Sequence, residues 1–272
     1  MPELPEVETI RRDLNQALRG AHLGRVEVSE PRLLQNCSKP ELSKALYGQT
    51  LKEVGRRGKF LLLDFGKYNA VVHLRMSGWF SLEPGAHTRM VMTFDRGKLY
   101  FDDTRRFGTL HLLKTAELEG HAPLKGLGLE PLEPEFSANA LQVLSKTARP
   151  IKQLLLDQTK IVGIGNIYVC EALHRARVHP LASGERLGLS KIKALRDSIV
   201  SILNEAIANH GSTLGDSVGD YRTLEGAQGS FQDRFAVYGR GGKPCFKCST
   251  PIERTIQAQR STYFCPRCQR LH

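Results

Sequence analysis

The 272-residue chain has a single tryptophan, only four methionines and no run of about 18 apolar residues, the length a membrane-crossing helix needs. Its first residues, Met1-Pro2-Glu3-Leu4-Pro5-Glu6, bring acids and prolines where a secretory leader has basic residues and then an apolar stretch. Membrane insertion and export are therefore not expected, and a soluble, intracellular protein is. Internal repeats and low-complexity tracts are absent too. Acids are scarce relative to bases: 28 Asp and Glu face 39 Lys and Arg, giving a net charge of +11. Such an excess says little about fold, but it implies an anionic partner, most often nucleic acid or an anionic membrane surface.

Cysteines number six, and in an intracellular setting they argue for metal before disulfides. Four form two pairs, Cys245-Phe-Lys-Cys248 and Cys265-Pro-Arg-Cys268, sixteen residues apart. That spacing can bring four thiolates into a tetrahedral zinc site on a β-hairpin; a redox pair would not need the second knuckle. Cys37 and Cys170 stand alone and read as small apolar core residues. From Ala236 to His272 seven basic residues (Arg240, Lys243, Lys247, Arg254, Arg260, Arg267 and Arg270) face one acid, Glu253. More than half of the excess charge therefore sits in the finger, where it suits phosphate neutralisation.

At the other end, removal of Met1 would expose the secondary amine of Pro2. An α-amine has a pKa of about 8, against about 10.4 for lysine, so more of it is unprotonated near neutrality. Such a nitrogen can attack a carbonyl-type carbon, and a secondary amine then gives a cationic iminium, a strong electron sink. Glu3 and Glu6 lie within a helical turn of it and can move protons. The plainer reading is that Pro2 and Pro5 open a helix, since Val7, Ile10, Leu14 and Leu18 follow at helical spacing.

Residues 1–18 are thus expected to be helical. The runs Leu61–Leu63, Ala70–Leu74, Met90–Phe94 and Leu99–Phe101 read as strands, with Asp95-Arg96-Gly97 as a hairpin turn, so the first half is mainly β and sandwich-like. Pro131 and Pro134, with the glycines before them, mark a domain boundary. Beyond it, helical periods cover 138–147, 151–157, 167–176 and 191–209. Gly163-Ile164-Gly165-Asn166 is either a phosphate-cradling turn or a plain tight one, and it lacks the third glycine of a dinucleotide fingerprint. A polar, glycine-rich stretch, 210–232, leads to the finger; loops of that length are usually functional or mobile.

Met1-Pro2-Glu3-Leu4-Pro5-Glu6-Val7-Glu8-Thr9, Arg57-Gly58-Lys59, Asp103-Thr104-Arg105-Arg106-Phe107-Gly108, Gly165-Asn166-Ile167-Tyr168 and the four-cysteine finger, in that order over the whole chain, closely resemble bacterial formamidopyrimidine-DNA glycosylases. The resemblance implies an α+β multidomain fold: an N-terminal catalytic β-sandwich with flanking helices (1–132), a helix–two-turn–helix DNA-binding domain with a lesion-capping loop (133–232), and a C-terminal zinc finger hairpin (236–272). It implies a monomeric, cytoplasmic, nucleoid-associated repair enzyme that removes 8-oxoguanine and formamidopyrimidines from double-stranded DNA, acts on abasic sites, and cuts the strand by β,δ-elimination.

By resemblance, Pro2 is the nucleophile, Glu3 the general acid/base, Lys59 the β-elimination lysine and Arg260 the δ-elimination arginine. Because arginine stays protonated, Arg260 is read as a phosphate clamp. Met76, Arg105 and Phe107 fill the gap left by an extruded nucleotide, and His87, Arg106, Lys152 and Asn166 contact phosphates. One structural Zn²⁺ sits on Cys245, Cys248, Cys265 and Cys268. Thr104, Arg75 and Cys170 depart from the commonest family pattern without touching these residues. Two rivals remain: an endonuclease VIII-type enzyme for oxidised pyrimidines, opposed by Leu4 and the long loop before Phe231, and a non-catalytic zinc-ribbon DNA-binding protein, opposed by intact Pro2, Glu3 and Lys59.

Overall fold

The computed structural model describes residues 2–215 and 221–271. The chain divides into two compact units, Met1–Lys125 with Ile207–Gln232, and Gly126–Ala206 with Asp233–His272.

In the first unit, helix α1 (Leu4–Leu18) buries Val7, Ile10, Leu14 and Leu18 as one apolar stripe. Strand β1 (Leu23–Val28) and helix α2 (Lys39–Leu46) follow, and α2 is closed by a capping box between Ser38 and Glu41. Then come β2 (Glu53–Arg57), β3 (Phe60–Asp64), β4 (Tyr68–His73), β5 (Gly78–Ser81), β6 (Thr88–Phe94), β7 (Gly97–Asp103), β8 (Thr109–Lys114) and the single turn α3 (Ala122–Lys125). They make two antiparallel four-stranded sheets, ordered β1-β6-β7-β5 and β2-β3-β4-β8.

Alternation decides which side chains meet. Leu61 pairs with Val72 and Leu63 with Ala70, all four turned to the core, where they join Phe80, Met90, Met92, Leu99 and Phe101 of the other sheet. The turn between β6 and β7 falls at Asp95-Arg96, where the sequence places it. Residues from 207 on return to this core: Tyr221 and Leu224 are buried in it, and the Leu224 N–H donates to Asp13 Oδ2 at 3.2 Å. Leu4–Leu18 matches the expected first helix, and the four expected strands are β3, β4, β6 and β7.

The second unit is built on helices α4 (Ala138–Leu144), α5 (Ile151–Leu156), α6 (Asn166–Arg175) and α7 (Leu189–Ala208), the last two residues of α7 belonging to the first unit. Two turns separate α5 from α6, and Gln158 ties them. Its Nε2 donates to the carbonyls of Leu156 and Ile164, while its Oε1 accepts from the Gly163 N–H at 2.9 Å. Gly163 has φ +87°, which a residue with a side chain rarely adopts.

The finger is the hairpin of β9 (Glu253–Gln257) and β10 (Arg260–Phe264), turned by Ala258 and Gln259 with φ of 48° and 60°. Glu171 of α6, almost fully buried, anchors the chain entering the finger by accepting the N–H groups of Ala236, Val237 and Tyr238 at 2.8 to 2.9 Å. Burial raises its pKa against those three hydrogen bonds. Among the described residues no helix is long and apolar enough to cross a membrane.

Candidate functional site

Pro2 is buried, directly before Glu3, which is the N-cap of α1. Glu3 and Glu6 cap each other reciprocally: the Glu3 side chain accepts the Glu6 N–H, and the Glu3 N–H donates to Glu6 Oε2 at 2.8 Å. The other oxygen of Glu6 accepts the Ser212 N–H at 2.8 Å. Gly211, at φ +75°, leaves room for that contact, because a Cβ there would lie 2.7 Å from Glu6 Oε1. Glu6 thus clamps the start of the glycine-rich stretch to the residue beside Pro2. Residues 216–220 of that stretch and Met1 lie outside the described residues.

Lys59 follows Gly58 (φ +58°) in the turn from β2 to β3 and is only 7% exposed, so it is not the solvated hairpin lysine its position would suggest. Arg56 braces this turn by donating to the Gly58 carbonyl at 3.0 Å and pairing with Glu8 at 3.1 Å. His73 packs edge-on against Phe60, ring centroids 4.6 Å apart. Burial, with Arg75 and Lys59 adding positive charge, pushes its pKa down to about 3, so it is a neutral acceptor for the Arg75 N–H at 2.9 Å.

The three residues expected to fill the void come together on the same unit. Arg105 donates to Met76 Sδ at 3.1 Å, and its guanidinium lies 5.0 Å from the centre of the Phe107 ring. Met76 is 45% and Phe107 51% exposed, unusual for large apolar side chains. The loop that carries them is fixed from below by Asp103, which accepts Ser77 Oγ–H at 2.5 Å and the Gly108 N–H at 2.7 Å, while Ser77 Oγ accepts the Arg105 N–H at 3.0 Å. A Cβ at Gly108 would sit 2.7 Å from the Phe101 ring. Arg106, with φ +57°, is half exposed and lies 3.5 Å from Glu30. The His87 carbonyl accepts the Asp103 N–H, and its Nδ1 lies 3.5 Å from Arg89 Nη2.

In the second unit, Lys152 is fully buried and donates to Thr262 Oγ1 at 2.6 Å and to the Ser261 carbonyl at 3.3 Å. Asn166, the first residue of α6, donates to the same carbonyl at 2.9 Å. Both therefore hold β10 just behind the exposed Arg260. Lys152 has its pKa lowered, chiefly by burial, with the positive charge of Arg260 adding to it.

The four finger sulfurs lie within 4.8 Å of one another, with pairs at 3.4, 3.5 and 3.9 Å. Tetrahedral zinc at ~2.3 Å from each sulfur requires sulfurs ~3.8 Å apart, so the donor set fits one structural Zn²⁺ and leaves it no open position. Cys170 is fully buried in the small cluster under the knuckles, with Val237, Cys245, Ile252 and Cys265. His174, one turn further along α6, brings Nε2 to 3.7 Å from Cys245 Sγ.

Asp103, Glu6, Glu171 and His174 do the positioning here, and sequence reasoning singles out none of them for it. The groups they hold at Ser77, Ser212, Ala236–Tyr238 and Cys245 are remote in the chain, so only an invariant position among relatives would have signalled these contacts.

A two-sheet domain with a buried proline just ahead of its first helix, a helix–two-turn–helix segment and a four-thiolate hairpin define a zinc-bearing nucleic-acid enzyme class. The formamidopyrimidine-DNA glycosylase N-terminal domain model matches residues 1–110, the corresponding H2TH domain model matches 127–218, and the zinc finger found in FPG and IleRS matches 242–271. Formamidopyrimidine-DNA glycosylase of Halalkalibacterium halodurans is 42% identical, over 99% of this chain and 100% of its own length, and that of Bacillus subtilis is 43% identical over 99% of each. The MutM (FPG) structure from Thermus thermophilus superposes with a TM-score of 0.89 at 42% identity, covering 100% of both chains. A Lactococcus lactis FPG mutant in complex with Fapy-dG-containing DNA gives 0.91 at 35%, over 99% of this chain and 100% of the other. The chain belongs to the formamidopyrimidine-DNA glycosylase family.

Proposed function

We propose that the protein is a monomeric, cytoplasmic base-excision repair enzyme that removes 8-oxoguanine and formamidopyrimidines from double-stranded DNA and then cleaves the strand. The observation that carries this is the clamped N-terminus: a buried proline beside a glutamate, locked by Glu6, in a chain related to these enzymes along its full length.

With Met1 removed, the Pro2 nitrogen attacks C1′ of an extruded nucleotide. The N–C1′ bond forms as the glycosidic bond breaks, and its electron pair leaves with the base. The Glu3 carboxylate takes the proton that the Pro2 nitrogen sheds on bonding to C1′ and passes it to O4′, and the nitrogen lone pair then breaks the C1′–O4′ bond and leaves a cationic iminium on Pro2. The iminium acidifies the C2′ proton, whose loss expels the 3′ phosphate; a second proton loss, from C4′, expels the 5′ phosphate. Lys59 serves the first elimination. Arg260 clamps and stabilises the departing phosphate of the second, being permanently charged. Hydrolysis frees the sugar fragment and Pro2, leaving a gap with a phosphate on each side.

Met76, Arg105 and Phe107 occupy the vacated space in the stack. His87 and Arg106 meet backbone phosphates, while Lys152 and Asn166 act on the backbone through the hairpin segment they brace. The stretch from Ser212 to Phe231 covers the extruded base. Zinc supplies finger structure and, with four thiolates, takes no part in the bond changes.

Borohydride trapping on a duplex with one 8-oxoguanine opposite cytosine tests the reading, with mass spectrometry locating the adduct and a dihydrouracil duplex alongside. A cross-link on residue 2 with the 8-oxoguanine duplex is the expected result. Trapping mainly on dihydrouracil would transfer the protein to pyrimidine lesions, and tight binding without trapping would leave a DNA-binding protein without the chemistry.

A further inference from the structure

The second unit contains a cavity of about 110 Å³ whose walls carry Arg177, Arg186, Lys191, Arg270 and His179 and no carboxylate. Four separate stretches of chain deliver these cations. Arg177 follows α6 in a left-handed conformation, φ +54°. Arg186 closes the short turn Gly184–Arg186, and Lys191 belongs to the first turn of α7, its Nζ donating to the Arg177 carbonyl at 3.3 Å. Arg270 is placed by its neighbour Gln269, a fully buried side chain. Gln269 Nε2 donates to the Val178 carbonyl at 2.8 Å, and its Oε1 accepts the Cys265 N–H at 2.9 Å. The zinc knuckle therefore fixes the side of the cavity that carries Arg270.

None of the four cations has an acidic partner among the described residues. Glu185, next to Arg186 in the sequence, does not line the cavity and has Ser183 Oγ at 3.4 Å. His179 adds no charge at neutral pH: burial lowers its pKa against the opposing pull of Glu253, and its ring packs on Phe264. Four like charges around so small a space repel one another, and a multiply charged anion relieves that repulsion. Three guanidiniums favour phosphate, whose oxygens match their forked donors. The position is also separate from the residues already assigned, since Asn166 and Arg260 lie by the N-terminal end of α6 and Arg177 lies past its C-terminal end, ~15 Å away for a ten-residue helix.

We propose that this cavity is a second phosphate site that seats the backbone of a DNA segment beyond the one held near Asn166 and Arg260. The proposal rests on the DNA-repair reading above. The protein thereby gains grip on long duplexes, which contain the lesion and the additional backbone together, and little on short ones.

The test compares the unmodified protein with R177E/R186E, whose changes fall on exposed side chains outside the assigned machinery. Affinity for undamaged duplexes of about 12 and about 40 base pairs is measured against salt concentration by fluorescence anisotropy, with single-turnover excision on a short lesion duplex and zinc content as controls. The expected result is a salt slope lower by about 1 for each phosphate no longer neutralised, and at least a tenfold weaker affinity, on the long duplex only. Short-duplex excision and zinc content stay unchanged. An unchanged long-duplex slope overturns the proposal. So does an equal loss of binding and excision on the short duplex with normal zinc, which would make the cavity part of the lesion-binding surface. Pyrophosphate titrated against the amide resonances around Arg270 separates the other source of this chemistry: saturable binding with an unchanged DNA slope identifies a site for small phosphates instead. If the unmodified protein traps no lesion DNA and binds neither duplex, the repair reading itself fails.

Discussion

Glu8 sits among three arginines. Arg11 approaches both its oxygens, at 2.8 and 2.9 Å, Arg12 lies at 2.8 Å and Arg56 at 3.1 Å. Burial pushes its pKa up, but the hydrogen bonds from Arg11 and Arg12 and the charges of Arg11 and Arg56 outweigh it and bring the value down to about 2. The folded-state value lies below the unfolded one of about 4.5, so the stabilisation is complete above that pH and disappears as pH falls towards 2. A shift of this size corresponds to roughly 3 kcal/mol. The variant Glu8→Gln should be less stable at neutral pH by about 1–3 kcal/mol and should lose part of the decline between pH 4.5 and 2, as read from urea unfolding. Parallel curves for the two proteins through that window would show that Glu8 is not the group responsible. The chemical consequence lies next door, because Arg56 also braces the turn that buries Lys59.

At the scale of elements, the loop carrying Arg105 and Phe107 depends on one buried carboxylate. Asp103 accepts from both Ser77 and Gly108, and asparagine can accept only one of these while presenting an unwanted donor to the other. Losing one charged hydrogen bond of this kind costs about 1.5–3 kcal/mol, or roughly 10- to 100-fold if it is expressed in the step that needs the loop. Asp103→Asn should therefore slow release of 8-oxoguanine from duplex DNA by at least tenfold, while cleavage of a preformed abasic site, which needs no intact base extruded, changes much less. Equal effects on both substrates would place Asp103 in general stability rather than in wedge positioning. Elements with a long pattern could be read in advance, and those without one could not. Repeated apolar spacing made α1 and the four later helices visible, and continuous apolar runs made β3, β4, β6 and β7 visible. Strand β5 has four residues and β2, Glu53–Arg57, one buried residue among five, too little pattern to stand out. Chemistry-bearing residues were visible as motifs, whereas the reach of Asp103 to Ser77, 26 residues away, and of Glu171 to groups 65 or more residues away are contacts that only the folded chain creates.

On the scale of the whole molecule, the first unit and the finger draw their stability from different sources. The first has a continuous apolar core running from α1 through both sheets to Tyr221 and Leu224. Under the finger, the buried cluster is Cys170, Val237, Cys245, Ile252 and Cys265, so two of its five members are also zinc ligands. Removing zinc takes away the bond network that orients those two and leaves Cys170, Val237 and Ile252 with the partly buried Tyr238 and Tyr263, too small a core to hold a hairpin. The sandwich needs none of this, and the single tryptophan, Trp79 in β5, reports on it alone. Chelation should therefore release one zinc per chain and leave Trp79 emission and its thermal transition in place, while DNA affinity falls because Arg260 and the other basic residues of the finger lose their fixed positions. Cleavage should fall with binding and recover at saturating protein to the extent that binding does. A zinc-free protein that binds lesion DNA at full strength yet does not cut would contradict this and assign the metal a part in the chemistry; loss of the Trp79 signal on chelation would show that the two units fold as one.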